Sequence, residues 1–245
     1  TKNFLIDREV GRKKVQTHIN WYKRNPNHVG RVAQRAKPYL RYIVEELKKN
    51  GLPLEFALLP FIESAFDPFA YSHGRASGLW QFIPATGRLY GLQIDWWFDA
   101  RRDIRASTQA AIRYLKRLNK LFDGDWLLTL AAYNAGEGNI LKSIRRSGIE
   151  REQVEFWQLQ VLSETSSYVP RLLAISEVVS NPSEYGITLP DIPDEPYWGV
   201  VDTSRQIDLN TAARLAEISQ ETLYSLNPGF NQWATHPDGP HELLL

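Results

Sequence analysis

The chain has 245 residues, 43% hydrophobic and 23% charged, with no Cys, no Met and a formal net charge of +1. That length allows one large domain, or one with a small appendage, and the composition excludes a disordered chain. The missing Cys excludes disulfides, a thiolate nucleophile and thiolate metal sites, and no apolar run approaches the ~18 residues of a membrane span. The sequence therefore reads as a soluble globular protein. Residue 1 is Thr, so a translation start, and with it any signal peptide or lipid-bearing Cys, is expected upstream. Charge is uneven: residues 1–186 hold 27 basic and 19 acidic groups, residues 187–245 hold 2 and 9, and residues 1–49 alone hold 13 and 4.

In chain order, Val15, Ile19 and Tyr22 recur at helical spacing before Asn25-Pro26, and Leu40, Ile43 and Leu47 do so before Gly51. These spacings predict a helical hairpin. Ile104, Thr108, Ala111, Leu115, Leu118 and Phe122 form the longest apolar stripe, opposite Arg105, Arg113, Lys116 and Lys120, as expected of a helix packed on a core. Asp125 suits the N-cap of a short, buried helix through Tyr133, and Gly136 suits its end. Tyr168, Leu172, Ile175 and Val179 mark a further helix, with Pro170 expected near its first turn and Asn181-Pro182 as its stop. After the prolines 190, 193 and 196, residues 197–201 and 241–245 read as strands around two short helices near 210–218 and 220–226.

Three stretches could carry chemistry. Glu63 ends the apolar run 56–62; if that run is buried, lost hydration would raise the carboxyl toward the ~6–7 suited to a general acid. The alternative is a helix end in solvent. Residues 72–81, from Ser72 to Gln81, set two close-approach glycines beside Trp80 and an amide. Such parts bind sugars through flat aromatic faces and amide hydrogen bonds, or they make a surface loop anchored by Trp80. Tyr133-Asn134-Ala135-Gly136-Glu137-Gly138 offers a phenol and an amide at a helix end, or simply a helix cap. The five His residues are scattered and no carboxylate cluster has ligand spacing, so no metal is expected. No Gly-rich phosphate loop of the G-x-G-x-x-G or Walker type is present, and no cofactor is expected.

Taken in order, ESAFDP (63–68), ASGLWQFIPATG (76–87), AAYNAGEG (131–138) and ETSSYVPR (164–171) resemble the lytic murein transglycosylases of the soluble-lytic-transglycosylase superfamily. WQF, the segment Phe156-Trp157-Gln158-Leu159 and the long N-terminal extension look most like the membrane-bound type D branch. The resemblance implies a mainly α, goose-lysozyme-like catalytic domain at 50–186. A basic helical extension (1–49) packs on it, and a linker and small LysM-like α+β module follow (187–245). It implies a groove for the N-acetylglucosamine and N-acetylmuramic acid strand of peptidoglycan, with Glu63 as catalytic acid and then base, closing a 1,6-anhydro ring without water. Tyr133 would support the reacting centre, Ser72 and Gln81 would meet the sugars, and Asn134, Tyr168 and Glu164 are groove candidates. Trp80, where relatives carry Met, is expected to offer a larger, flatter lid. Asp67, before Pro68, suits a turn.

The tail, with LNPG at 226–229, is similar to a degenerate LysM-type βααβ module that either binds peptidoglycan or packs as a small domain. The basic extension would favour acidic partners such as wall-peptide carboxylates, or is a solvated helical face; nucleic acid is not expected. The expected protein is a periplasmic monomer, held at the outer membrane only through a lipid anchor outside this sequence. A goose-type hydrolytic muramidase and a noncatalytic peptidoglycan-binding protein are the alternatives.

Overall fold

The computed structural model describes residues 4–245 and is mainly helical. In chain order the elements are α1 (Lys13–Arg24), α2 (Pro26–Lys49), α3 (Leu59–Ser64), α4 (Pro84–Leu89), α5 (Ile104–Leu121), α6 (Trp126–Ala135), α7 (Glu137–Ser147) and α8 (Ser163–Ser180). They are followed by β1 (Val200–Asp202), α9 (Leu209–Leu215), α10 (Gln220–Leu226) and β2 (Glu242–Leu244). Two compact units result: one from residues to Arg31, Leu47–Ile62 and Ile112–Leu189, the other from Val32–Glu46, Glu63–Ala111 and Pro190–Leu245. Helices α2, α3 and α5 thus contribute residues to both. Every position of the α5 stripe is buried, from Ile104 to Phe122, while Arg113, Lys116 and Lys120 are exposed.

The first unit is organised by α8, which is buried almost throughout from Tyr168 to Val178. A helix apolar on most sides belongs inside a fold rather than on its surface, and α1, α6 and the 3-10 turn Leu54–Leu58 all pack on it. The two expected N-terminal helices form. However, α1 lays Val15, Ile19 and Tyr22 chiefly on α8, so they are not a self-contained hairpin. Pro170 is also placed differently from expectation. Because α8 starts at Ser163, the proline lies in its interior, where its missing N–H removes one helical bond. Asp125 does cap α6, its side chain accepting from the Leu128 amide, and Gly136 ends it at φ 80°.

The segment before α1 is stitched into this unit. The buried Glu55 carboxylate accepts from the Ile6 amide at 2.6 Å, Arg8 pairs with Glu177 at 2.6 Å, and Trp157 Nε1 donates to Glu9 at 3.0 Å. Part of the N-terminal positive charge is therefore spent internally.

In the second unit, β1 and β2 pair antiparallel with Val200 opposite Leu244. Asp208 caps α9 through the Thr211 amide and Ser219 caps α10 through the Thr222 amide. Asn227, from the LNPG stretch, donates its amide to the Leu244 carbonyl and accepts from the Leu244 N–H, both at 2.8 Å. A side chain thus stands in for a neighbouring strand, which explains why an otherwise polar residue is buried there. Among the described residues no helix is long and apolar enough to cross a membrane.

Glu177 gives the first unit a pH dependence. Burial pushes its pKa up, but donors from Arg8, Asn181 and Tyr185 outweigh that and hold it below the ordinary 4.5. A depressed folded pKa contributes stability that is complete above the unfolded value and lost as pH falls through the folded one. Urea denaturation should therefore show stability falling below about pH 4.5, and Glu177→Gln should flatten that fall; parallel pH profiles would contradict this.

Candidate active site

Glu63 lies in the last turn of α3, at the end of a run in which Phe56, Leu59, Phe61 and Ile62 are buried; Glu63 itself is half-buried. The chain turns sharply just after it, with Ala65 at φ 51° and Phe66 at φ 54°. Two consecutive non-glycine residues in the left-handed region are costly, roughly 1–3 kcal/mol each, and such strain clusters at functional sites. Ser64 Oγ donates to the Leu79 carbonyl at 3.0 Å and ties the helix end to the loop that carries Trp80 and Gln81. Asp67 accepts from the Phe69 amide at 2.9 Å, the turn role its sequence suggests.

That loop has little regular structure and is held by a buried guanidinium. Arg101, 5% exposed, donates through Nε and Nη2 to the two Asp99 carboxylate oxygens at 2.9 and 2.7 Å. Its Nη1 reaches the carbonyls of Arg75 and Phe82 at 2.5 and 3.2 Å. Gly78, at φ +80°, backs onto the same residue: a Cβ there would sit 2.0 Å from the Arg101 carbonyl oxygen. This glycine is required for close approach of backbone to backbone. Sequence reasoning missed Arg101 and Asp99; their only signal is an acid and a base two residues apart before α5.

Gln81, at φ 49°, donates its side-chain amide to the carbonyls of Gly78 at 2.8 Å and Ala70 at 3.2 Å. With both protons committed, it has its carbonyl oxygen to offer to a hydroxyl or an acetamido N–H. Ser72 is half-buried and its Oγ accepts from the Ala76 amide at 3.0 Å. Trp80 departs from expectation. Its ring is 0% exposed and Nε1 donates to Thr108 Oγ1 at 3.1 Å, so the indole anchors the loop in the core and presents no flat lid surface.

The remaining candidates are in the first unit. Asn134, at the end of α6, donates to Glu164 at 3.0 Å and accepts from Thr165 Oγ1 at 2.8 Å, joining the second of the glycine-bearing motifs to the start of α8. Tyr133 is half-buried, its ring 5.3 Å from that of Tyr114. Tyr114 leads on to Glu137, which is paired with Arg117. Glu164 is exposed, whereas Tyr168 is 3% exposed inside α8. Ser64 and Thr165 were not singled out from sequence, although both stand beside residues that were. Among the described residues no group of three or more His, Asp or Glu could hold a metal ion.

Breaking one half of a buried ion pair strands the other charge, at a cost of about 3–5 kcal/mol. Arg101→Leu should lose stability on that scale in urea denaturation, and the double substitution Arg101→Leu with Asp99→Leu should recover much of it. A single variant as stable as the parent would show that the pair does not hold the loop.

Residues 41–156 match the Transglycosylase SLT domain family and residues 198–245 match the LysM-like domain of lytic transglycosylase MltD. The chain is 42% identical to membrane-bound lytic murein transglycosylase D of Escherichia coli over 91% of its length and 50% of that protein. It is 25% identical to membrane-bound lytic murein transglycosylase C of Glaesserella parasuis over 57% of its length and 42% of that protein. Among solved structures, an inactive mutant of lytic transglycosylase Slt from Pseudomonas aeruginosa aligns at TM-score 0.48 and 22% identity, over 75% of this chain and 32% of that one. The chain spans about half the length of the curated relatives it matches. The chain thus carries a Transglycosylase SLT domain followed by an MltD-type LysM-like domain.

Proposed function

We propose that this chain cleaves the β-1,4 bond between N-acetylmuramic acid and N-acetylglucosamine in peptidoglycan without water, with Glu63 acting as acid and then as base. The observation that carries the reading is the placement of Glu63: a half-buried carboxyl at the end of a buried apolar helix, beside a loop locked by Arg101. The carboxyl gives its proton to the glycosidic oxygen as the bond from that oxygen to the anomeric carbon breaks. The muramoyl 6-hydroxyl then attacks the anomeric carbon, its proton passes to the Glu63 carboxylate, and a 1,6-anhydro ring closes. Atoms and charge balance with one protein carboxyl, the substrate's N-acetyl oxygen meeting the positive charge in between.

A carboxylate nucleophile is not needed for this route, unlike that of a retaining glycosidase. Asp67, the nearest acid in sequence, accepts from the Phe69 amide in a turn. Gln81 and Ser72 would bind the sugars, Tyr133 would support the reacting centre, and Asn134 with Glu164 would shape the groove. A periplasmic location, at the outer membrane through a lipid anchor, fits a membrane-bound relative. Binding of wall glycan by the C-terminal module belongs to the same reading.

The test is product identity. Purified sacculi incubated with the protein should release muropeptides with 1,6-anhydro ends, read by mass spectrometry. Reducing ends would instead indicate a hydrolytic muramidase, and retention without cleavage a binding protein. Glu63→Gln keeps the shape but cannot supply a proton; it should fold with an unchanged melting temperature and lose about 10²–10⁴-fold in turnover. Wild-type turnover in that variant would remove Glu63 from the mechanism.

A further inference from the structure

Apart from the residues above, three indoles gather in the second unit. Residues 95–98 form a tight turn in which the Asp95 carboxylate accepts from the Trp97 and Phe98 amides, each at 2.8 Å, while the Asp95 amide donates to the Phe98 carbonyl at 2.9 Å. Burial pushes the Asp95 pKa up, yet the Gln93 side chain and those two amides outweigh it and keep the carboxyl ionised below its usual range. Segment 229–233 clamps this turn. Asn231 N donates to the Trp97 carbonyl at 2.8 Å, its side chain to the Asp95 carbonyl at 3.1 Å, and the Gln232 side chain to the Trp96 carbonyl at 2.9 Å. Beneath them the Phe98 and Phe230 rings lie 5.0 Å apart, and a Cβ at Gly229 would come within 2.5 Å of the Phe98 ring.

The outcome is a rigid frame carrying solvent-facing aromatics. Trp96 is 61% and Trp233 58% exposed, with Trp97 half-buried between them. Ring centroids are 4.9 Å apart for Trp96 and Trp97, 5.7 Å for Trp97 and Trp233, and 6.3 Å for Trp96 and Trp233. The two exposed rings stand at 82°, so they make a corner rather than a stack. Folding alone favours burying such rings, and an ordered apolar cluster left in water with a polar rim marks a binding surface. Here the four carbonyls of the turn and the amides of Asp95, Trp97 and Phe98 have partners within the protein, so its ordering does not depend on a ligand. The rim holds the Asp95 carboxylate, the Asn231 and Gln232 amides and His236, whose Nε2 lies 3.6 Å from Asp95.

A narrow right-angled corner of indoles edged by amides and a carboxylate suits a molecule with flat C–H faces and hydroxyl edges, more than an aliphatic helix or a lipid chain. We propose that Trp96, Trp97 and Trp233 form an accessory stacking site for an N-acetylated amino-sugar strand, separate from the residues assigned to catalysis. Trp96 and Trp97 come from the SLT match and Trp233 from the LysM-like match, so the site exists only where the two are joined. The choice of ligand rests on the peptidoglycan reading above; the aromatic corner does not.

The probes are purified sacculi and the β-1,4 tetramer of N-acetylglucosamine, used with the whole chain carrying Glu63→Gln so that nothing is consumed. Trp96→Ala with Trp233→Ala should weaken sacculus retention about tenfold, and should abolish the part of the tetramer-induced indole fluorescence change that those rings carry. Trp96→Phe with Trp233→Phe should restore most of the binding, which separates stacking from damage to the fold. With Glu63 intact, the Ala pair should raise KM on sacculi and leave kcat unchanged. Unaltered retention and KM in the Ala pair, or capture of lipid vesicles with no response to the tetramer, would overturn the site. A parent that binds through these rings but releases no anhydro ends would overturn the transglycosylase reading and leave the site standing.

Discussion

A single buried cation organises the part of the second unit that bears the candidate acid. A guanidinium taken out of water is tolerated only when nearly all its donors are satisfied in good geometry, and Arg101 meets that condition with both oxygens of Asp99 and two loop carbonyls. The loop from Arg75 to Phe82 is pinned by isolated antiparallel bridges of Ser77 with Tyr71 and Phe82, and the cation adds hydrogen bonds to the carbonyls of Arg75 and Phe82. From this follow the need for glycine at 78, the fixed orientation of Gln81 and the placement of Leu79 where Ser64 can reach it. The end of α3 thereby inherits its rigidity from a residue far along the chain.

Much of this was legible beforehand. Long periodic elements declare themselves, as the α5 stripe does, and so do caps with a side-chain mechanism, such as Asp125. The Glu63 and Gly136 motifs were visible because their residue types are unusual at those spacings. What could not be read were properties set by three-dimensional enclosure. Trp80 reads in sequence as a sugar platform, yet Thr108 draws its indole inside, while the clustered indoles that face water, Trp96 and Trp233, lie outside the motifs. Sequence preference places Pro170 in a first turn, where proline usually sits; in the structure it lies inside α8, a helix buried on most sides. In sequence Arg101 is one cation among many, and only its enclosed carbonyl and carboxylate partners set it apart.

Four of the eight non-glycine residues with positive φ among the described residues follow the candidate acid or lie in the loop tied to it. Ala65, Phe66, Arg75 and Gln81 all adopt positive φ without being glycine. Proteins break local rules where chemistry requires a particular direction for a side chain, and the surrounding network then maintains the departure. Here that network consists of Ser64, Arg101 and the enclosed Trp80, none of which need touch a substrate to matter.

Glu55 has a practical implication for anyone dissecting the chain. The SLT match begins at residue 41, which invites trimming at that point. Such a cut would remove the amide that the enclosed carboxylate accepts from at Ile6, together with the helix whose Val15, Ile19 and Tyr22 cover α8. A shortened protein would leave that carboxyl without its donor and α8 without its cover, and its failure to fold or act would report on the missing escort alone.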